Sequence, residues 1–193
     1  MANYCDNSIT INGNVENVNR IKDILISLEK TTDDIGVFET LIGLPPTDDI
    51  DYIYWWGTRC DNNIHECNVN YEDGWIDMSF DTKWSPPTEF CQKLSLLSNV
   101  EVEIKYNEGG CNFAGRNVYN NGEVISSEEY PYLEGIYRLY DDIEMFLFDL
   151  EYSYMEDAIE SDKSIEQVMN ELSYVDDDFR HFVIELYNKV KKD

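Results

Sequence analysis

Between Tyr4 and Tyr106 the hydrophobic period alternates between that of a strand and that of a helix, and the order of these changes limits the possible folds. Ser8-Ile9-Thr10-Ile11 alternates within Tyr4–Asn12 and stops at Asn12-Gly13-Asn14, which reads as a strand followed by a helix N-cap. Val15, Val18, Ile21, Leu25 and Leu28 then recur at helical spacing. Residues 31–62 show no sustained period and read as a long ordered loop. His65–Tyr71 and Trp75–Asp81 alternate around Glu72-Asp73-Gly74, a hairpin signal. Ser85-Pro86-Pro87 supplies an N-cap candidate for a helix whose apolar face carries Phe90, Leu94 and Leu97, and Val100, Val102, Ile104 and Tyr106 alternate as a last strand. The order β-α-β-β-α-β is the split β-α-β, ferredoxin-like arrangement of α+β proteins: an antiparallel sheet with both helices on one face. A short hairpin from Val118 to Val124 around Asn120-Asn121-Gly122 extends that sheet.

Beyond Ser126 the period becomes helical throughout. Ile136, Leu139, Ile143, Phe146, Leu147, Leu150 and Tyr154 share one stripe, and two shorter helices are expected from Ser164 and Asp177. The expected organisation is a ferredoxin-like domain over 1–126 and an acidic helical extension over 127–193. From Glu128 to Asp178 there are 17 acidic residues and two basic ones, Arg138 and Lys163.

Charge decides the class of partner. The chain has 40 Asp and Glu against 14 Lys and Arg, a formal net charge of −26. Direct nucleic-acid binding needs cations that displace condensed counterions, so this balance argues against it, and against an anionic membrane surface. A basic or nucleic-acid-binding protein is attracted instead. No run approaches the ~18 apolar residues of a membrane span, and the N-terminus lacks the basic and apolar regions of a secretory leader, so a cytoplasmic location is expected. Five cysteines without paired spacing read as reduced thiols. No cofactor is indicated.

Four blocks carry a resemblance: Met1–Ile11, Trp56-Gly57-Thr58-Arg59-Cys60-Asp61, Thr82-Lys83-Trp84-Ser85-Pro86-Pro87, and Glu108-Gly109 through Phe113-Ala114-Gly115. In these the chain resembles the YubB-type ferredoxin-like domain family of phages and conjugative plasmids, over roughly residues 2–120. The resemblance implies the fold and a mobile-element origin, hence a host cytoplasm, and implies no activity; the acidic last third lies outside it.

Two groups of residues are candidates for function. On the expected acidic helices, Asp141, Asp142, Glu144, Asp149, Glu151, Glu156, Asp157 and Glu160 lie opposite the apolar stripe, an array of carboxylates that imitates nucleic-acid phosphates toward a host protein. The bland reading of the same residues is a solvated helix face. At one end of the sheet, Trp56, Arg59, Lys83, Trp84, Glu108 and Gly109 are the alternative, a small-ligand or nucleotide site; core packing of the tryptophans and a structural glycine turn are the competing reading. Cys60, His65 and Cys67 lack a fourth zinc ligand at matching spacing, and no catalytic set is legible. The expectation is therefore a non-enzymatic accessory protein that binds and inhibits a host nucleic-acid-handling protein, its oligomeric state left open.

Overall fold

The computed structural model describes residues 3–31, 35–47, 51–140 and 143–191, apart from the side chains of Ile143 and Asp178. It divides into two units, one comprising 1–111 and 115–129, the other 112–114 and 130–193.

In the first unit, β1 (Tyr4–Asn12) leads through α1 (Val15–Glu29) and two short helices, α2 (Val37–Ile42) and α3 (Tyr52–Trp56), to the hairpin β2 (Asn68–Glu72) and β3 (Trp75–Lys83). Helix α4 (Thr88–Ser98), β4 (Glu101–Glu108) and the hairpin β5 (Phe113–Asn120) and β6 (Glu123–Tyr130) follow. The strand order is β2-β3-β1-β4-β5-β6, with β1 antiparallel to both neighbours. The first four strands therefore have the ferredoxin-like order, and the last hairpin widens the sheet. Alternation places Ile9, Ile11, Ile76, Met78, Phe80, Val102 and Ile104 on one buried face. Val18, Ile21, Leu25 and Leu28 of α1 and Phe90 and Leu94 of α4 complete that core.

Four local expectations give way to tertiary effects. Residues 31–62 are not a loop throughout: α2 and α3 are short helices held by Phe38, whose ring stacks on Phe90 at 4.2 Å and meets Phe80 and Trp56 edge-on. Six- and five-residue helices are too short to show a period. Ser85 caps no helix; its Oγ donates to the Gly57 carbonyl at 2.6 Å, and α4 starts after Pro87. Leu97 is exposed because α4 buries Phe90, Cys91, Leu94 and Ser95 and then ends at left-handed Asn99, so that Val100 fills the core. Val15, at the first turn of α1, is likewise exposed.

The second unit is helical: α5 (Tyr132–Leu139), α6 (Ile143–Asp149), a π-helical turn (Leu150–Met155), α7 (Glu156–Glu160), α8 (Ile165–Glu171) and α9 (Asp177–Val190). Its core gathers Ile136, Phe146, Leu150, Met155, Ala158, Val168, Leu172, Val175, Val183, Leu186 and Tyr187. The expected stripe breaks twice. Tyr140 turns to extended backbone and ends α5, and the wide π turn makes the step from Leu150 to the next buried position five residues, so Met155 is buried and Tyr154 is not. Ser164 forms a capping box with Gln167, and Asp176 caps α9 through the Phe179 N–H. No helix among the described residues is long and apolar enough to cross a membrane.

Candidate functional site

The four sequence blocks meet at one end of the sheet, through strand pairing and through short polar side chains. Tyr4 pairs with Lys83 across β1 and β3, and the Trp84 N–H donates to the Asn3 carbonyl at 3.0 Å. Thr58 Oγ1 donates to the Lys83 carbonyl at 3.2 Å, Ser85 Oγ to that of Gly57, and Asn3 Nδ2 to Cys111 Sγ at 3.5 Å. Small and hydroxyl side chains recur in these blocks because each closes a joint between distant segments.

The same joints dispose of two ligand candidates. Trp56 is only 3% exposed, stacked on Tyr52 at 4.7 Å with its Nε1–H toward the Gly43 carbonyl, so it belongs to the core and forms no surface platform. Glu108 is also buried, and its carboxylate accepts the N–H of Gly110 at 3.0 Å and that of Cys111. The glycine-rich turn thus folds its amides around an anion that the chain itself provides, which leaves no nest for a phosphate. Arg59, Lys83, Trp84 and Gly109 are exposed. Of the six candidates, Lys83 borders a cleft.

That cleft, about 710 Å³, is lined by Asp6, Asp61, Glu66 and Asp81 together with Tyr4, Lys83, Ser79 and three Asn residues. Asp61 builds its wall: its carboxylate accepts the N–H groups of Phe38, Glu39 and Asn62, each at 2.7 Å, which ties the segment after α3 to the start of α2. Burial nevertheless pushes the Asp61 carboxyl upward against those three bonds. Asn62 reaches the Asp81 carbonyl at 2.8 Å. Asp6 and Asp81 stand opposite each other in the β1–β3 register. Partial burial, and then the hydrogen bond to Asp81, push the Asp6 carboxyl up to about 6. These four acids escape sequence reading because Asp6 and Asp81 merely occupy polar phases of two strands 75 residues apart; only the register makes them neighbours.

A carboxyl whose folded pKa exceeds its unfolded value, about 3.9, stabilises the fold below that value and loses the contribution as pH rises through about 6. Asp6→Asn therefore raises the melting temperature at pH 7.5 and leaves it unchanged at pH 4. Allowing for solvent screening, about 1 kcal/mol or 2–4 °C is expected. An equal shift at both pH values would refute the raised Asp6 carboxyl.

Among the described residues no three metal-ligating side chains come together. His65 Nε2 lies 3.4 Å from the Thr31 carbonyl, and the Cys67 thiol points to the Asn63 carbonyl. Burial pushes the Cys5 and Cys67 thiols up to about 12, so neither supplies a thiolate near neutral pH.

In the helical unit, the six acidic candidates among the described residues differ in exposure and in partners. Asp141 and Asp142 lie outside the described residues. Asp149 accepts from the Tyr132 hydroxyl at 2.8 Å and Glu151 from Lys189 Nζ at 2.5 Å; both are half-buried, since the π turn shifts the helix phase around them. Glu144, Glu156, Asp157 and Glu160 are exposed, and the last three continue into exposed Asp162 and Glu166, two acids that the sequence reading left out. Among the described residues none of the five from Glu156 to Glu166 enters an ion pair. The nearest cation in sequence, Lys163, is bound to Glu171 at 2.8 Å, where it and the Tyr154 hydroxyl hold that carboxyl below its usual range.

The family model for the ferredoxin-like domain in Api92-like proteins matches residues 55–168. Its match extends through α5, α6 and α7 into α8, so the expectation that the acidic third stands wholly outside the resemblance is corrected. Over 63 residues the chain is 35% identical to YubB of Escherichia coli (strain K12), a stretch equal to 32% of this chain and 43% of YubB; the chain spans less than half of that relative. A crystal structure of api92 from Yersinia pseudotuberculosis aligns with 67% of this chain and 98% of its own, at 12% identity and a TM-score of 0.41.

Proposed function

We propose that this chain, which belongs to the family of ferredoxin-like domains in Api92-like proteins, is a phage or plasmid accessory protein that binds a host protein through uncompensated carboxylates and blocks its basic, nucleic-acid-binding surface. The observation that carries the reading is the run of five exposed acids from Glu156 to Glu166, none of which enters an ion pair among the described residues. Four-residue spacing, as between Glu156 and Glu160, puts carboxylate-bearing positions about 5–6 Å apart on a rigid helix. A chain of formal charge −26 that leaves such a row unneutralised bears a self-repulsion which binding to a cationic surface relieves. The acidic lining of the cleft speaks against a phosphate-bearing nucleotide as the alternative ligand, since among the described lining residues Lys83 is the single cation against four acids.

The test is a variant with Glu156→Gln, Asp157→Asn, Glu160→Gln and Glu166→Gln, in which side-chain size is kept. Immobilised wild-type protein is expected to retain a host nucleic-acid-binding protein at low salt, to release it at about 0.5 M salt, and to compete with duplex DNA for it. The variant is expected to bind that protein about 10–100-fold more weakly. Retention of the same proteins on both, with equal salt dependence, would reduce the acidic row to a solvated face.

A further inference from the structure

We infer that the outer edge of β6, which pairs with no further strand among the described residues, accepts an extended protein segment bearing alternate Lys or Arg residues, which adds to the sheet as a seventh strand. This rests on the reading above, that the chain binds a cationic protein partner, and adds a second contact, at β6, with the conformation the partner takes there.

The sheet has two edges of different character. β2 is five residues long; β6 is eight. The turn joining β5 and β6 is Asn121-Gly122, both at positive φ (51° and 77°), the mark of a tight two-residue hairpin in which Asn120 and Glu123 form the bonded pair. From there the pleat aims the backbone groups of Val124 and Ser126 away from β5. The hairpin tip is fixed on α4, with Gln92 Nε2 donating to the Gly122 carbonyl at 2.8 Å and the Gly122 N–H to Ser95 Oγ at 2.9 Å, so the edge is presented rigidly.

Edge strands are commonly blunted by Lys, Pro or a bulge. Residues 123–130 contain neither Lys nor Pro, and Val124 and Ile125 are 54% and 60% exposed, on opposite faces of the strand. Leu96 of α4, whose side chain adjoins Gly122 at the hairpin tip, is 58% exposed. Strand addition would cover the aliphatic pair while main-chain bonds supply affinity.

Charge selects the occupant. Exposed Glu123 and Glu129 flank the aliphatic positions. Antiparallel pairing of β6 with a second copy would bring together two such edges on two chains of formal charge −26. Nucleic acid and anionic lipid are repelled in the same way. A strand whose alternate residues are cationic satisfies both the open backbone and the carboxylates.

The probe is a ten-residue peptide alternating Val and Lys, with blocked ends, added to the full-length protein at low salt. Its control has the same charges but alternate N-methylated amides. Amide hydrogen exchange is read residue by residue, and oligomeric state by sedimentation. The unmodified peptide is expected to slow exchange at Val124 and Ser126 at least tenfold, and the N-methylated one not to. Ser126→Pro, which removes an outward N–H, is expected to abolish the protection; Ile125→Lys, which leaves the β5–β6 ladder intact, to weaken binding at least tenfold. Equal binding of both peptides, protection confined to α7 and α8, or no binding would each overturn strand addition. So would a dimer that Ile125→Lys dissociates. The four-acid variant of α7 and α8 is expected to leave the β6 protection in place, so failure of either idea is visible separately.

Discussion

Phe38→Ala is expected to lower the stability of the first unit by about 3–5 kcal/mol, the range for emptying a well-packed aromatic site. Phe38 has no exposed surface and touches three aromatic rings from α3, β3 and α4. Its removal leaves a void that cannot collapse without moving α2. All four tryptophans, Trp55, Trp56, Trp75 and Trp84, belong to the first unit, so intrinsic tryptophan fluorescence follows that unit without the helical one. The expected drop in melting temperature is roughly 10 °C. The loss also reaches the cleft, since Asp61 is anchored on the Phe38 and Glu39 amides; Asp6→Asn in this background is expected to lose part of its pH-dependent effect. A cost under about 1 kcal/mol would mean that the segment around α2 is not part of the core.

Gly57→Ala is expected to cost about 3 kcal/mol through backbone alone. Gly57 ends α3 in the left-handed region (φ 91°, ψ −13°), donating its N–H to the Ile53 carbonyl. A side chain in that conformation costs about 1–2 kcal/mol. A Cβ there would also stand 2.7 Å from the Thr88 nitrogen and 2.8 Å from the Pro86 oxygen, atoms of the turn that opens α4. Neither can rotate away, so the joint between Trp56-Gly57-Thr58 and Ser85-Pro86-Pro87 must open. Fluorescence-detected denaturation measures the loss; a near-neutral Gly57→Ala would show that the joint has slack. Ser85→Ala removes one hydrogen bond of the same joint without a clash and is expected to cost only about 1 kcal/mol.

Both substitutions act on blocks that stand out in the sequence and whose work is tertiary. Trp56 and Glu108 look like ligand residues in a linear reading because an aromatic beside Gly-Thr-Arg, or an acid before two glycines, fits a binding loop. In the fold the ring fills the core and the carboxylate closes its own turn. Asp6 and Asp81 show the converse: each alone is an ordinary outward residue of an alternating strand, and together they form the acidic floor of a cleft.

Features that depend on neighbours a few residues away are legible along the chain. The alternation of β1, β3 and β4, the helical stripes of α1 and α4, the Asn121-Gly122 turn and the Ser164 capping box all lie within one period of the chain, and the strand order followed from their succession. The net charge of −26 also needs no fold, since it is a sum over residues. Tertiary structure alone decided that α2 and α3 are helices, that the wide turn at Leu150–Met155 moves the apolar stripe from Tyr154 to Met155, and which acids are bound internally and which face outward. The physical reason is common to all three: burial, register and ion pairing are energies between residues far apart in sequence, and they outweigh local propensities that differ by less than about 1 kcal/mol per residue.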